Sequence, residues 1–332
     1  MWMRTGYHSS MVPTLSDIRA AAARIAGTVG PTPLVYSHWL SEIAKGDVWL
    51  KLELMQPTGS YKIRGAVNAL ARLKETNPAA TTVVTASAGN HGQAIALAAS
   101  RTGVQARVHL PASAPETKRQ GMKRLGTEVV DAGSYDDAEL LGRKDAEASG
   151  ATYVSPYNDA DVIAGAGTVA LEMFAAQPDL DALLVPLGGG GLLSGTAIVA
   201  RALAPQSLIV GVEAEASPVF TGALAAGKPV TVSVEETLAD GLAGNMEPDT
   251  RTFPIVRDLV DLVELVPDAW IARAMRQLLL RERLVTEGAG AIGVAAVLKG
   301  GLDLAGRRTG IILSGRNVDA RVIEWLITDV SD

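Results

Sequence analysis

The feature that most constrains this chain is an alternation of short, nearly all-apolar runs with stretches of helical character. VWLKLEL (Val48–Leu54) precedes a helix expected over Ile63–Lys74, and TTVVTAS (Thr81–Ser87) precedes one over His91–Arg101. ARVHLP (Ala106–Pro111) leads to a helix over Pro115–Leu125, and ALLVPLG (Ala182–Gly188) to one over Leu192–Leu203. LIVGVEA (Leu208–Ala214) and TGIILSG (Thr309–Gly315) are further runs of the same kind. A strand wetted on one face alternates apolar and polar residues. A strand that is apolar throughout is covered on both faces, as in a parallel sheet flanked by helices. The pattern therefore predicts an α/β fold with right-handed crossovers. A length of 332 residues predicts two domains, with a change of domain near the turn-rich SPYND (Ser155–Asp159). Over Trp270–Arg283, the helically spaced Ile271, Ala274, Met275, Leu278 and Leu279 read as core or subunit contact.

Composition removes several function classes. A net charge of -6 offers no broad surface to a nucleic-acid backbone. The absence of cysteine excludes disulfides, thiolate metal sites and a cysteine nucleophile. No window is apolar enough for long enough to span a membrane, and MWMRTGYHSSMV lacks the apolar core of a signal peptide. A cytoplasmic protein with a disordered leader over residues 1–12 is expected. The histidines, at 8, 38, 91 and 109, form no H-E-x-x-H, and no G-x-S-x-G is present. Asp136–Asp137 and Glu235–Glu236 read as solvated faces.

Ligands of open α/β sheets bind beyond the carboxyl ends of the strands. Four such places are glycine-rich or polar here: SAGNHG (Ser87–Gly92), GGGGLLSG (Gly188–Gly195), EGAGA (Glu287–Ala291) and SGRN (Ser314–Asn317). The run Gly188–Gly191 exceeds what a tight turn needs and suits a phosphate cup made of backbone N–H groups and a helix N-terminus. It fits neither the dinucleotide fingerprint nor the Walker loop, so a small phosphorylated cofactor is the simpler partner. In GSYKIRG (Gly59–Gly65), Lys62 falls at a helix start, the end that disfavours cations. With Arg64 nearby, that placement destabilises the ammonium and suits a Schiff-base nucleophile. A lysine for an aldehyde and a cup for a phosphate are the two requirements of pyridoxal phosphate. Taken singly, Asn90 reads equally as a helix cap, His91 as a packed histidine, and the glycines of EGAGA as close packing.

Together, QPTGSYKIRGA, SAGNHGQA, GGGGLLSG, VTEGAGA and LSGRNVD, in this order, resemble the fold-type II pyridoxal-phosphate enzymes over nearly the whole chain. The branch they most resemble is that of threonine/serine dehydratases and serine racemases. The resemblance implies a tryptophan synthase β-like architecture: two open, twisted α/β domains with the cofactor in the cleft. The large domain is expected over 13–69 plus 157–332, and a small mobile one over 70–156. The resemblance makes Lys62 the Schiff-base lysine and catalytic base, and makes Ser87 a second catalytic residue. It assigns the cofactor phosphate to Gly188, Gly189, Gly190, Gly191 and Leu192, and the ring hydroxyl to Asn90. Ser314 faces the ring nitrogen, Tyr61 and Gly241 flank the ring, and Glu287 adds a polar contact. Ser87, Ala88, Gly89, Asn90 and His91 form the loop for the substrate carboxylate.

The implied reaction is β-elimination of water from L-threonine or L-serine, giving a 2-oxo acid and ammonia. A neutral Ser314 at the ring nitrogen favours prompt elimination over a long-lived carbanion. Ile63 departs from the Asp of threonine and cysteine synthases, and Ala88 from the serine of racemases. GVEAEASPVF keeps Glu213, a candidate ligand for a divalent cation, but has Val219 where a later acid is usual. Arg316 is either a surface residue or a contact for a second carboxylate, as in 3-hydroxyaspartate. A racemase and a non-catalytic amino-acid-binding protein remain as alternatives. A homodimer or homotetramer without isoleucine feedback is expected.

Overall fold

The computed structural model describes residues 12–87, 89–112, 114, 116–247 and 249–330. The expected leader, save its last residue, and the expected substrate contact of Ala88 lie outside the described residues. Among the described residues, ten strands form two sheets: β1 (Leu34–Tyr36), β2 (Asp47–Lys51), β3 (Thr82–Ala86), β4 (Gln105–Pro111), β5 (Glu128–Ala132), β6 (Thr152–Tyr153), β7 (Ala182–Pro186), β8 (Leu208–Ala214), β9 (Leu262–Val266) and β10 (Arg308–Ile312). The larger sheet has the order β1-β2-β10-β7-β8-β9, and the smaller β5-β4-β3-β6. Every pairing is parallel except β1 with β2. Residues 82–153 contain the whole smaller sheet. Among the described residues, no helix is long and apolar enough to cross a membrane.

The six expected apolar runs all contain strands, and all six of these strands occupy interior positions of the two sheets. In β7, Ala182 and Leu184 feed one core while Leu183 and Val185 feed another, the two-fold alternation of a strand buried on both faces. The strands without a continuous apolar run are β1, β9, β5 and β6, and these four are the edges of the two sheets. An edge strand is covered on one side only, so its composition is mixed: β5 is exposed at Glu128 and Asp131. VWLKLEL is shorter as a strand than its apolar length suggests. It leaves the sheet after Lys51 and turns through a single 3-10 turn at Glu53–Met55.

That turn feeds a buried ionic cluster. Arg64 donates to Glu53 through Nε at 2.7 Å and NH2 at 2.8 Å, and to Glu172 at 2.6 and 2.8 Å. Lys51 Nζ completes the set, 2.6 Å from Glu172 and from the Thr32 carbonyl. Burial works against the Arg64 charge, but Glu53 and Glu172 outweigh it and raise its pKa. This corrects the sequence expectation that Arg64 pushes on the Lys62 ammonium, because its charge is already neutralised by two carboxylates beneath the helix. The helix expected over Trp270–Arg283 also differs. It runs from Asp268 to Gln277, then widens to a π-turn at Leu278–Glu282 and closes at Arg283 with φ +60°. Ile271, Ala274, Met275 and Leu278 lie in the core.

Candidate active site

The C-terminal ends of β2, β3, β7 and β10 open onto one cleft. Lys62 is the first residue of the helix Lys62–Thr76, after Tyr61 at the N-cap. Its Nζ donates to the Pro156 carbonyl at 2.8 Å and lies 5.3 Å from the centroid of the Tyr61 ring. Both Lys62 and the turn Gly188–Leu192 line a cavity of about 450 Å³, part of it open to solvent.

The glycine turn leads into the helix Gly191–Leu203, whose N-cap Gly190 has φ +86° and supplies no side-chain cap. The first-turn N–H groups of a helix have no intrahelical acceptors, and here no capping side chain takes their place. Glycine is demanded twice in this turn. A Cβ on Gly190 would strike Phe220 and Thr252 in a backbone region that L residues rarely adopt, and one on Gly189 would overlap the Tyr157 ring. The turn is therefore packed from behind while its N–H groups remain unclaimed by side chains.

The remaining walls come from distant segments. Ser314 follows β10; its hydroxyl donates to the Ala289 carbonyl at a long 3.3 Å, and its carbonyl accepts from Tyr61 N at 3.0 Å. Asn90 opens the helix Asn90–Thr102 and is held at both ends. Its Nδ2 donates to Glu287 Oε1 at 2.7 Å, and its Oδ1 accepts from Asn317 Nδ2 at 2.7 Å. Tyr61, Lys62, Asn90, Gly188–Gly191, Leu192, Gly241, Glu287 and Ser314, all singled out from sequence, line this one cavity. A larger adjoining space shares Lys62 and Asn90, and is bounded by Ser87, Gly89 and His91 on one side and Asp240–Asn245 on the other.

His91 is 2 % exposed, and neither ring nitrogen makes a hydrogen bond. Burial, and then the Lys62 charge, push its pKa down to about 3, against a weaker opposing effect of the Val154 carbonyl. The ring is neutral at any working pH. Sequence reasoning missed Tyr157 and Pro156, which lie in the stretch read only as a domain boundary. The available signal was that a chain crossing between two sheets passes the cleft between them.

Other candidates fall elsewhere. Glu213 accepts from Phe220 N at 2.6 Å, Thr221 N at 3.0 Å and Thr221 Oγ1 at 2.8 Å, so its carboxylate caps the helix Val219–Ala226. Among the described residues, no three His, Asp or Glu side chains form a metal-binding group. Arg316 is exposed and lines neither cavity. Asp137 completes a capping box with Ser134, and Glu235 and Glu236 are exposed.

Two open α/β sheets, with a lysine amine and an uncapped glycine turn sharing the cleft between them, define an enzyme class built around a phosphorylated carbonyl cofactor. The chain belongs to the pyridoxal-phosphate-dependent enzyme family, whose sequence profile matches residues 25–315. It is 41% identical to the L-threonine ammonia-lyase of Thermotoga maritima over 95% of this chain and 78% of that protein. It is 38% identical to the L-threo-3-hydroxyaspartate ammonia-lyase of Saccharomyces cerevisiae over 97% of this chain and 98% of that one. Among solved structures, maize serine racemase superposes with a TM-score of 0.89 at 35% identity, covering 96% of this chain and 97% of the other.

Proposed function

We propose that this protein is a pyridoxal-phosphate-dependent ammonia-lyase that converts L-threonine, and more weakly L-serine, to the 2-oxo acid and ammonia. The observation that carries the reading is the joint presence, in one cavity, of the Lys62 amine and the uncapped N-terminus at Gly188–Leu192. A cradle whose glycines leave N–H groups free, with an amine in the same cavity, fits a ligand bearing a phosphate and an aldehyde. Gly188–Leu192 would hold the phosphate, Asn90 the ring hydroxyl and Ser314 Oγ the ring nitrogen, with Tyr61 and Gly241 flanking the ring. When bound, pyridoxal phosphate supplies an aldehyde that condenses with amines and a ring that takes up the electrons left at the substrate Cα. Lys62 Nζ would be the amine that bonds the cofactor, and its free amine would take the substrate Cα proton. Ser87 and the backbone from Gly89 to His91 bind the substrate carboxylate. Ser314, a neutral hydroxyl, would hold the ring nitrogen without the charge a carboxylate brings, which would favour loss of the β-hydroxyl. The segment 70–156 covers the cleft and excludes water during the reaction.

Threonine is favoured over 3-hydroxyaspartate by the cavity walls. Lys62 is the only cation among the described lining residues, and Asp240 and Glu287 line the same space. A second carboxylate would meet acidic groups there. The test is to incubate the cofactor-loaded protein with L-threonine, L-serine, both 3-hydroxyaspartate diastereomers and D-serine, and to assay 2-oxo acid and ammonia. Oxo acid chiefly from threonine is expected; none from any substrate overturns the reading. The same reading carries a cytoplasmic homodimer or homotetramer. Exposed apolar side chains such as Ile43, Met55 and Trp325 support a contact surface, and sedimentation tests it.

A further inference from the structure

One buried carboxylate beside the cleft has no part in the chemistry above. Glu247 is 4 % exposed and lies two residues after the cavity-lining stretch Asp240–Asn245. Its Oε1 accepts from Ser155 Oγ at 2.5 Å and its Oε2 from Asn158 Nδ2 at 2.6 Å. Oε2 also lies 2.5 Å from Arg143 NH2. The Glu247 backbone N–H donates to the Tyr157 hydroxyl at 2.8 Å. Asn158 is fixed in turn, since its Oδ1 accepts from Arg251 N at 2.6 Å and its N–H donates to Ser155 Oγ at 3.1 Å.

These contacts join three separate pieces of the molecule. Arg143 is on the helix Tyr135–Ser149, which packs on β3 and β4 of the smaller sheet. Ser155–Asn158 is the turn by which the chain passes from β6 to the helix Ala160–Ala176. Glu247 belongs to the loop that lines the cavity from the larger sheet's side. The turn is also where Lys62 is held, through the Pro156 carbonyl, and where the Tyr157 ring backs Gly189. A buried carboxylate is costly unless its charge and lone pairs are matched, and here Arg143, Ser155 and Asn158 all lie on different segments from Glu247. Arg143 reaches it from a more open position, with 39% of its side chain exposed, over the Tyr153 ring at 4.6 Å and 3.2 Å from Glu139.

We propose that Glu247 is a positioning residue for the Lys62 turn, and that its ion pair with Arg143 is the latch that holds the smaller sheet against the substrate cavity. The two roles separate by position. Arg143 meets the carboxylate only at Oε2, the oxygen it shares with Asn158, so removing it leaves the Ser155 and Asn158 hydrogen bonds in place. The loop Ser87–His91 belongs to the half that the latch holds, so loosening it weakens substrate binding before it disturbs Lys62.

The experiment compares wild type, Arg143→Gln, Arg143→Lys and Glu247→Gln as cofactor-loaded protein. In Arg143→Gln, amides of residues 135–149 and 243–251 should exchange with deuterium about tenfold faster, while those of β7, β8 and β10 stay as in wild type. KM for L-threonine should rise about tenfold with kcat within about threefold, and Arg143→Lys should recover at least half of that change on a logarithmic scale. Glu247→Gln should lower kcat as well and alter the visible absorption of the bound cofactor, because the Lys62 turn moves. Uniformly faster exchange with unchanged KM would mark a structural ion pair and overturn the latch; so would exchange and KM both like wild type. The KM readout rests on the ammonia-lyase reading. If wild type leaves L-threonine untouched, that reading fails, while the exchange pattern still decides the latch.

Discussion

The two sheets are built from the same β-then-helix unit, yet they are held very differently. In the larger, β7 is buried at all five positions and each face supplies a separate, extensive core. In the smaller, one face packs Val83, Ala94, Ile95, Ala98 and Ala106 against the Lys62–Thr76 helix, while the outer cores are slight: Ala96, Val108, Leu110, Ala114 and Met122 form one, and Ala86, Ala132 and Ala138 another. The ionic contacts follow the same division. Arg64, Glu53, Glu172 and Lys51 are joined beneath the larger sheet, with Arg64 and Glu53 essentially without solvent. On the smaller, Arg107 pairs with Glu128 and Asp145 at the surface. Local opening free energy tracks buried apolar contact, so the larger half is the frame and the smaller the cover. The division matches the chemistry. The Gly188–Leu192 turn and the Lys62 helix start, proposed above to hold the cofactor, stand on the frame, while Ser87–His91, proposed to bind the substrate carboxylate, stands on the cover.

Four outcomes would break or sharpen this contrast. The largest is Lys62→Ala. Turnover should fall at least about a thousandfold, with loss of the cofactor's covalent absorption band and an unchanged thermal midpoint. Retained turnover would remove Lys62 from the chemistry. Next is a paired measurement by denaturant titration. Arg64→Ala should cost about 3–5 kcal/mol, because the fully buried Glu53 loses its ion-pair partner. Arg107→Ala on the cover should cost under about 1 kcal/mol. Equal losses would erase the distinction between frame and cover. Third, Gly190→Ala forces an L residue to φ +86° against Phe220 and Thr252. A cost of about 1–2 kcal/mol appearing mainly as weaker cofactor binding is expected, read by cofactor titration.

The smallest effect is a pH dependence on the cover. His91 is held neutral in the folded protein, with its pKa lowered to about 3, first by burial and then by Lys62. In the unfolded chain it takes up a proton near the ordinary histidine value of about 6.5. Between these values the unfolded state binds more protons, so stability falls as pH drops from about 6.5 toward 3. The variant His91→Asn lacks this component. Its stability relative to wild type should therefore improve by at most about 1.4 kcal/mol per pH unit below 6.5 in parallel denaturation curves. Curves that stay parallel through that range would mean that the ring is hydrated or already paired in solution.

The chain by itself determined the interior strands, the cleft motifs and their order. Strands covered on both faces are apolar at every position, and a glycine turn or a lysine at a helix start carries its meaning in adjacent residues. Gly188–Gly191, together with Lys62, could therefore be picked out locally, Asn90 and Ser314 only through the family resemblance, and all share one cavity. Only the tertiary structure decided the rest. Edge strands β1, β5, β6 and β9 carry no continuous apolar signal, because one side of each lacks a neighbour. The partners of Arg64 lie on a 3-10 turn and on a helix more than a hundred residues away. Glu247 meets Arg143, Ser155 and Asn158 only once both sheets are in place. A charge is visible in the sequence, but its counter-charge is chosen by the packing that removes water from both.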